Sequence, residues 1–188
     1  MVARAEATAT TRERLLASAW RHFAERPFDD VRLAAVAAEA HVSVQTLHTH
    51  FGTKDALFVM AWIWRMTPEG ARRDTAPVGD ARAAVRTLYG SYERDGDAVL
   101  RMLAQEERIP AIHEMADAGR RWHREWVRRT FAPLLEGGPR GDRERRLTSL
   151  IVATDLLVWK LLRREMGLGR ATAERIVIEM IARTKGAP

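Results

Sequence analysis

Apolar residues recur three or four positions apart along nearly the whole chain, and no segment alternates apolar and polar residues for the length of a strand. Each stripe at this spacing predicts an amphipathic helix that buries one face in a core. Gly and Pro residues fall between the stripes, at positions where helices commonly end. The pattern therefore predicts an all-α protein.

Four helices are expected in the first third of the chain. Thr10 and Glu13 form a possible capping box at the start of the first, and Asp30 is the expected cap of a short second helix. Ser43 can cap the third, and Pro68 marks the expected end of the fourth, which is apolar nearly all round its axis. The expected helices cover about residues 10–26, 31–41, 44–51 and 53–68.

Five more helices follow a polar stretch punctuated by Gly and Pro, residues 67–79. Asp95-Gly96-Asp97 predicts a turn between the first two, and Gly167 fits a left-handed cap after the fourth. We place these helices at about residues 80–94, 97–108, 110–135, 142–166 and 172–184. The whole pattern predicts a small N-terminal domain, residues 10–54, and a larger helical domain, residues 55–188.

Net charge does not locate a binding surface. The chain of 188 residues carries a formal charge of +6, yet residues 1–54 hold seven Lys or Arg against six Asp or Glu. Runs such as Arg128-Arg129 are explained more simply as solvated helix faces than as a nucleic-acid surface.

The composition excludes several classes of protein. Because the sequence has no Cys, disulfide scaffolds, thiolate metal sites and cysteine nucleophiles are excluded. No stretch approaches the ~20 apolar residues of a membrane-spanning helix, and the first residues lack the apolar segment of a signal peptide. We therefore expect a cytoplasmic protein that does not contact a membrane.

Residues 32–51 show the pattern of a helix-turn-helix: a short helix, a turn at His41, a Ser cap and a second short helix. Leu47 and Phe51 lie one turn apart and share a buried face, which leaves the polar side chains of the second helix outside. Such a helix can enter the major groove, where Gln suits adenine and methyl groups suit thymine. A plain helical hairpin fits the pattern equally well.

Residues 11–62 resemble the DNA-binding domain of the tetracycline-repressor (TetR) family of bacterial transcriptional regulators. The matching residues are Ala40-His41-Val42-Ser43, Thr46-Leu47-His48-Thr49-His50-Phe51 and Thr53-Lys54-Asp55-Ala56-Leu57. The resemblance implies a repressor-like homodimer, which binds a short palindromic operator in double-stranded DNA and is released by a small-molecule effector. The fold implied is an N-terminal three-helix helix-turn-helix domain followed by a helical ligand-binding and dimerisation domain.

Three residues depart from the family pattern. His41 stands where Gly is usual, at a turn position that requires positive φ, which His tolerates better than most residues. His48 replaces a Tyr that touches the DNA backbone, and Arg32 replaces a Thr at the start of the second helix.

Position on the outward face predicts the DNA contacts. We expect Gln45 and Thr46 to read bases and His48, Thr49 and Lys54 to hold phosphates. The complete predicted surface is Arg32, Ser43, Val44, Gln45, Thr46, His48, Thr49, His50 and Lys54.

Aromatic residues with a few polar neighbours suggest an effector site, although core packing is the simpler explanation for any single Trp. The candidates are Trp62, Met66, Tyr89, Met102, Gln105, His113, Trp122, Trp126 and Trp159. The sequence marks no buried Lys or Arg as a counter-ion. We therefore expect a largely apolar or aromatic effector, cations included, because tryptophan faces attract cations.

The last two long helices carry more apolar surface than one core-facing side requires, which predicts a four-helix contact between two subunits. Its residues are Leu147, Leu150, Ile151, Thr154, Leu157, Val158, Leu161, Ile176, Val177 and Met180.

Metal, cofactor and catalytic sites are not expected. His48 and His50 are two residues apart and do not share a helix face, and no Gly-rich phosphate loop or nucleophile arrangement is present. The sequence thus predicts a regulator and not an enzyme. The alternative is a helical small-molecule carrier or enzyme that retains a helix-turn-helix as scaffold.

Overall fold

The computed structural model describes the backbone of residues 2–184 and the side chains of residues 9–184. Ten α-helices and one π-helical turn occupy this part of the chain, which contains no strand, so the all-α prediction is confirmed. The helices are α1 (Val2–Glu25), α2 (Leu33–Glu39), α3 (Val44–Phe51), α4 (Lys54–Arg73), α5 (Ala81–Leu103), α6 (Pro110–Thr130), α7 (Ala132–Leu135), α8 (Arg140–Ala153), α9 (Leu156–Lys160) and α10 (Arg170–Arg183), with the π turn at Leu161–Glu165.

The chain divides into two compact units. The first unit comprises the chain up to Pro68 together with Ala98–Ala116, and the second comprises Glu69–Asp97 and the chain from Asp117 onward. The predicted domain boundary between residues 54 and 55 lies inside the first unit. Within the described residues, no helix is both long enough and apolar enough to cross a membrane.

The first unit is built around an aromatic cluster. The rings of Phe23, Phe28 and Phe58 lie with centroids 5.2–5.6 Å apart, two of the three pairs edge to face. Leu47 from α3 and Met102 from α5 are buried in the same core. This core fixes the inner sides of the helices of the small N-terminal bundle.

Two predicted caps in the first unit are wrong. The first helix begins at Val2, so Thr10 lies inside α1 and cannot cap it. The N-cap of α2 is Arg32 and not Asp30, and the Arg32 side chain makes no capping hydrogen bond.

In the second unit, α5 runs without a break through the predicted turn at Asp95-Gly96-Asp97. Gly96 is buried against the indole of Trp159, and a Cβ on Gly96 would lie only 2.6 Å from ring atoms of that side chain. The glycine permits close approach of an aromatic ring and does not form a turn.

The fourth helix continues past Pro68 to Arg73, so its predicted end is also wrong. Glu69 holds the turn after the proline, because its buried carboxylate accepts hydrogen bonds from Ser91 (2.8 Å) and Arg94 (2.6 Å) on α5. These contacts offset the backbone hydrogen bond that proline cannot donate.

Two long predicted helices are divided in the structure. The helix expected over residues 110–135 stops at Thr130 and resumes as α7. The helix expected over residues 142–166 breaks after Ala153, where the Asp155 side chain accepts a hydrogen bond from the Leu157 N–H (2.7 Å) and so caps α9. The predicted left-handed residue Gly167 is confirmed, with φ of 66°.

We predict that Gly96→Ala destabilises the protein by about 1–3 kcal/mol, because the added methyl group collides with the fully buried Trp159 ring. The free energy of unfolding in urea measures this effect.

Gly119→Ala is the matched control. Gly119 also lies within a helix, but a Cβ there would meet nothing within 4 Å. Its replacement should leave stability unchanged or raise it by about 0.5–1 kcal/mol. Equal unfolding energies for the Gly96→Ala protein and the unmodified protein would contradict the packing argument.

Candidate functional site

Helices α2 and α3 meet at a tight turn centred on His41, whose φ of 56° confirms the expected left-handed conformation. The Ala40 N–H donates to the Val36 carbonyl (3.1 Å) and the Val42 N–H to the Ala37 carbonyl (3.0 Å). These bonds close the end of α2 and bring the chain directly into the cap of α3. The arrangement is a helix-turn-helix.

The orientation of α3 follows from its two buried residues, Leu47 and Phe51. Val44, Gln45, His48 and Thr49 are exposed, and Thr46 and His50 are half-buried. The predicted division of α3 into one inward and one outward face is therefore present in the structure.

Ser43 caps α3 as predicted. Its Oγ accepts a hydrogen bond from the Thr46 N–H at 3.0 Å and lies 2.9 Å from the Thr46 hydroxyl. The hydroxyl of Thr46 is thus partly used within the helix, and its methyl group is free to contact a base.

Gln45 has a free side chain. No side chain among the described residues hydrogen-bonds to its exposed amide, and only its backbone carbonyl is used, by the Thr49 hydroxyl at 2.9 Å. His48 Nδ1 donates to the Gly52 carbonyl at 2.8 Å, since a carbonyl can only accept. The Nε2 atom of His48 is thus the ring nitrogen left for another partner.

Lys54 already makes two contacts within the first unit. Its Nζ donates to the Asp29 carbonyl at 3.1 Å and lies 4.8 Å from the centroid of the Phe28 ring. Burial lowers the pKa of Lys54, although the carboxylate of Asp29 acts in the opposite direction. Arg32 remains exposed at the start of α2 and borders an open cleft of about 540 Å³.

Three side chains from the 98–116 segment contact the end of α1 and the turn that follows it, which the sequence did not predict. Gln105 Oε1 accepts from the Phe28 N–H at 2.8 Å, Arg108 pairs with Asp29, and Arg101 donates to the Ala24 carbonyl. Gln105 was expected to line an effector site and here supports the helix-turn-helix instead. No sequence signal identifies these contacts, because they join residues about 77 positions apart.

The other predicted effector residues of the first unit differ in their exposure and contacts. Met102 is buried in the core, and Trp62 packs edge-on against Trp20 with centroids 6.1 Å apart. Met66 is half-buried, and His113 is exposed and lies 3.5 Å from the Glu106 carboxylate.

In the second unit, four predicted effector residues lie near one another in an aromatic region. Tyr89, Trp126 and Trp159 are buried and Trp122 is half-buried. Tyr92, which the sequence did not single out, lies 6.3 Å from Tyr89 and 5.9 Å from Trp159 between ring centroids.

Arg73 enters this region from the end of α4. Its guanidinium carbon lies 5.0 Å from the Tyr92 ring centroid and 5.3 Å from that of Trp122. His123 stacks on Trp126 at 5.7 Å, and its Nε2 lies 3.1 Å from the Thr154 hydroxyl. We call this group the Arg73 cluster; it consists of Arg73, Tyr92, Trp122, His123, Trp126 and Thr154.

The Arg73 cluster keeps His123 neutral. Burial, and after it the charge of Arg73, lower the pKa of His123 to about 4. The Thr154 hydroxyl donates to the Leu150 carbonyl at 2.7 Å, so it accepts the Nε2 hydrogen of His123. The other ring nitrogen, Nδ1, is then an unprotonated acceptor.

The predicted subunit-contact residues fall into three groups by exposure. Leu157 and Leu161 are exposed, at 61% and 47%. Leu147, Ile151, Val158, Ile176 and Met180 are half-buried. Leu150, Thr154 and Val177 are buried within the subunit's own core, so they are not available to a partner.

The helix-turn-helix and its exposed polar face define a DNA-binding protein of the helix-turn-helix class. Residues 15–61 match the family model of bacterial regulatory proteins of the tetR family. The matched segment contains the second half of α1, all of α2 and α3, and the first part of α4. This segment of the chain is therefore a DNA-binding domain of the TetR type.

Solved structures share this fold over nearly the whole chain. A transcriptional regulator from Rhodococcus sp. Rha1 is 21% identical with a TM-score of 0.73, covering 94% of this chain and 99% of its own. A tetR-family transcriptional regulator from Streptomyces coelicolor is 18% identical with a TM-score of 0.73, covering 93% and 79%. A Saccharomonospora viridis protein, solved in complex with choline, is 23% identical with a TM-score of 0.67, covering 91% and 95%. No curated protein sequence is similar enough to count as a match.

We predict that His123 makes folding stability fall as the pH falls from 6.5 toward 4. In that interval the unfolded chain, with an ordinary histidine pKa of 6.5, binds a proton that the folded protein does not. The loss of stability is absent above pH 6.5 and grows to about 2–3 kcal/mol by pH 4.

The measurement is the free energy of unfolding in urea at several pH values for the unmodified protein and for His123→Gln. The variant should lose this part of the pH dependence, whereas His113→Gln, at an exposed histidine, should retain it. Parallel curves for all three proteins would contradict the assignment, because carboxylates contribute equally in each.

Proposed function

We propose that this regulator is a homodimeric repressor that binds a palindromic operator through α3 and is released by a small-molecule effector. It would act in the bacterial cytoplasm, where its DNA is located, and by binding alone, without catalysis. The observation that carries the proposal is the outward face of α3, where Gln45 offers a free amide beside the exposed Val44 methyl groups.

These two residues support direct readout of bases. A free glutamine amide donates and accepts at once, which matches the N6 and N7 groups of adenine in the major groove. Val44 and the methyl group of Thr46 suit the thymine methyl. Because α3 is held by its two buried residues and by the Ser43 cap, these groups are presented without further ordering.

The remaining predicted residues would fix the position of the helix on the phosphate backbone. His48 Nε2 and the exposed Arg32 are free for such contacts, and Ser43 and His50 flank them on α3. Thr49 would have to exchange its hydrogen bond to the Gln45 carbonyl for one to a phosphate. Lys54 would have to reach a phosphate while still bonded to the Asp29 carbonyl. Phosphate contacts carry no sequence information but supply much of the affinity.

An apolar surface on the second unit supports dimerisation. We call it the outer stripe: Val152, Leu157, Leu161 and Met166 are large apolar side chains, each about half exposed or more. Four such residues so close in sequence are unusual on a surface that faces only water. The half-buried Ile176 and Met180 of α10 would extend the contact to the four-helix arrangement. A two-fold dimer would place two copies of α3 about 34–36 Å apart, one turn of DNA.

An effector site in the second unit is supported by the Arg73 cluster, where aromatic rings surround a few polar atoms. A structural relative was solved with choline, so the shared fold accommodates a small ligand in that protein. A ligand shifts the operator-binding equilibrium only as far as it binds one arrangement of the dimer more tightly than the other.

We predict that Gln45→Ala relaxes the preference at one operator base pair by about 1–3 kcal/mol, because the amide contacts to that base are lost. Selection of binding sites from a random DNA pool, followed by affinity measurement on single-base variants, shows the effect.

Lys54→Ala is the comparison. If Lys54 contacts a phosphate, this variant reduces the affinity for all DNA sequences by the same factor. It also lowers the slope of log affinity against log salt concentration by about one. An unchanged selected sequence for Gln45→Ala would overturn the readout assignment. Failure of the unmodified protein to select any sequence would favour a carrier or enzyme that retains the helix-turn-helix as scaffold.

We predict that Leu157→Arg combined with Leu161→Arg produces monomers that no longer bind the operator at the concentrations where the unmodified protein does. Both side chains are exposed, so the charges are tolerated in the folded subunit but not in an apolar contact between subunits.

Analytical ultracentrifugation measures the change. Val78→Arg is the control, since Val78 is 64% exposed on the same unit but lies far from the outer stripe in sequence. This control should remain dimeric. An intact dimer in the double variant would show that another surface joins the subunits.

A further inference from the structure

Arg73 is a cation without a counter-ion among the described residues. Its neighbours have carboxylate partners: Arg72 and Arg94 pair with Glu69, and Arg129 pairs with Asp74. Arg73 instead lies over the rings of Tyr92 and Trp122, and its buried Nε–H has no acceptor. A partly buried guanidinium in aromatic surroundings gains from pairing with an anion.

The same cluster contains an unsatisfied acceptor. His123 Nδ1 is buried and accepts no hydrogen bond, and the contact with Thr154 fixes it as the unprotonated nitrogen. The cluster therefore combines a charged donor at Arg73 with a neutral acceptor at His123, and the Trp122 and Trp126 rings lie beside them.

We propose that the Arg73 cluster binds an aromatic carboxylate that also carries a hydroxyl or amine hydrogen. The carboxylate pairs with the Arg73 guanidinium, the hydroxyl or amine donates to His123 Nδ1, and the ring packs against the tryptophans. Arg73 and Trp122 are only partly buried, so this part of the cluster is reachable from solvent. That this ligand is the effector rests on the function proposed above.

An aromatic carboxylate differs from the cationic effector that the sequence analysis considered. The reason to expect a cation was the attraction of aromatic faces for positive charge. In the structure Arg73 itself occupies the faces of Tyr92 and Trp122, so a second cation would meet like charge there. The positive charge of Arg73, which was not identified from the sequence, therefore favours an anionic ligand.

A ligand series on the unmodified full-length protein tests the proposal. Benzoate, benzyl alcohol and benzyltrimethylammonium share a ring and differ in charge, and choline is a cation without a ring. Isothermal titration calorimetry should show benzoate binding about tenfold or more tightly than the neutral and cationic compounds, as expected for a charge-assisted pair. Hydroxybenzoates should bind about threefold or more tightly than their methoxy counterparts, which lack the donor.

Variants assign the binding to Arg73. Arg73→Met should weaken benzoate binding about tenfold or more, while Arg124→Met, which removes an exposed arginine from α6, should leave it within about twofold. Arg73→Lys keeps the charge but loses the planar fork, and should give intermediate affinity. The ligand series needs no variant, so it decides the question even if Arg73→Met does not fold.

If benzyltrimethylammonium or choline binds as tightly as benzoate, or more tightly, the proposal is overturned. The same holds if a folded Arg73→Met protein binds benzoate as tightly as the unmodified protein does. Operator release is measured separately, on DNA selected by the unmodified protein. Arg73-dependent benzoate binding without operator release would support the site and count against the effector role alone. Operator binding with no carboxylate binding would overturn the site and leave DNA recognition standing.

Discussion

The turn between α1 and α2 leaves the backbone groups of Phe28 and Asp29 outside any helix, and distant side chains bond to the Phe28 N–H and the Asp29 carbonyl. Gln105 accepts from the Phe28 N–H, Lys54 donates to the Asp29 carbonyl, and Arg108 pairs with the Asp29 carboxylate. Backbone groups left unpaired away from water are costly, so the bond from Gln105 to the partly buried Phe28 N–H stabilises the turn that leads into α2. Since α3 follows α2 after only a four-residue turn, the direction of its polar face depends on the same contacts.

Local signals were sufficient to predict the helix-turn-helix and insufficient for the longer helices. Helix α3 has a Ser cap, two apolar residues one turn apart and a terminal Gly, all within ten positions of the sequence. Gly96 and Pro68 carry equally strong local signals for helix ends, yet both lie inside helices. Trp159 and the partners of Glu69 come from elsewhere in the chain, so tertiary packing overrides the local preference there.

The two candidate sites also differ in how far local sequence predicts them. The DNA-facing residues of α3 follow from helical periodicity, because an eight-residue helix with one buried face has only one outward face. The residues of the Arg73 cluster could not be predicted from the types of residue in the sequence. Arg72 and Arg73 are adjacent and chemically identical, but successive positions on a helix point about 100° apart. One pairs with Glu69, while the other enters the aromatic cluster.

Charge pairing in the second unit explains why Arg73 has no anionic partner among the residues that the structure describes. Burial alone would raise the pKa of Glu69, but hydrogen bonds from Arg94 and Ser91 and the charges of Arg94 and Arg72 lower it to about 2. That carboxylate is therefore ionised at neutral pH and fully engaged with two arginines. His123, which belongs to the Arg73 cluster, is neutral there and supplies no negative charge. The positive charge of Arg73 thus persists among aromatic rings, where low polarity strengthens its attraction for an anion from solution.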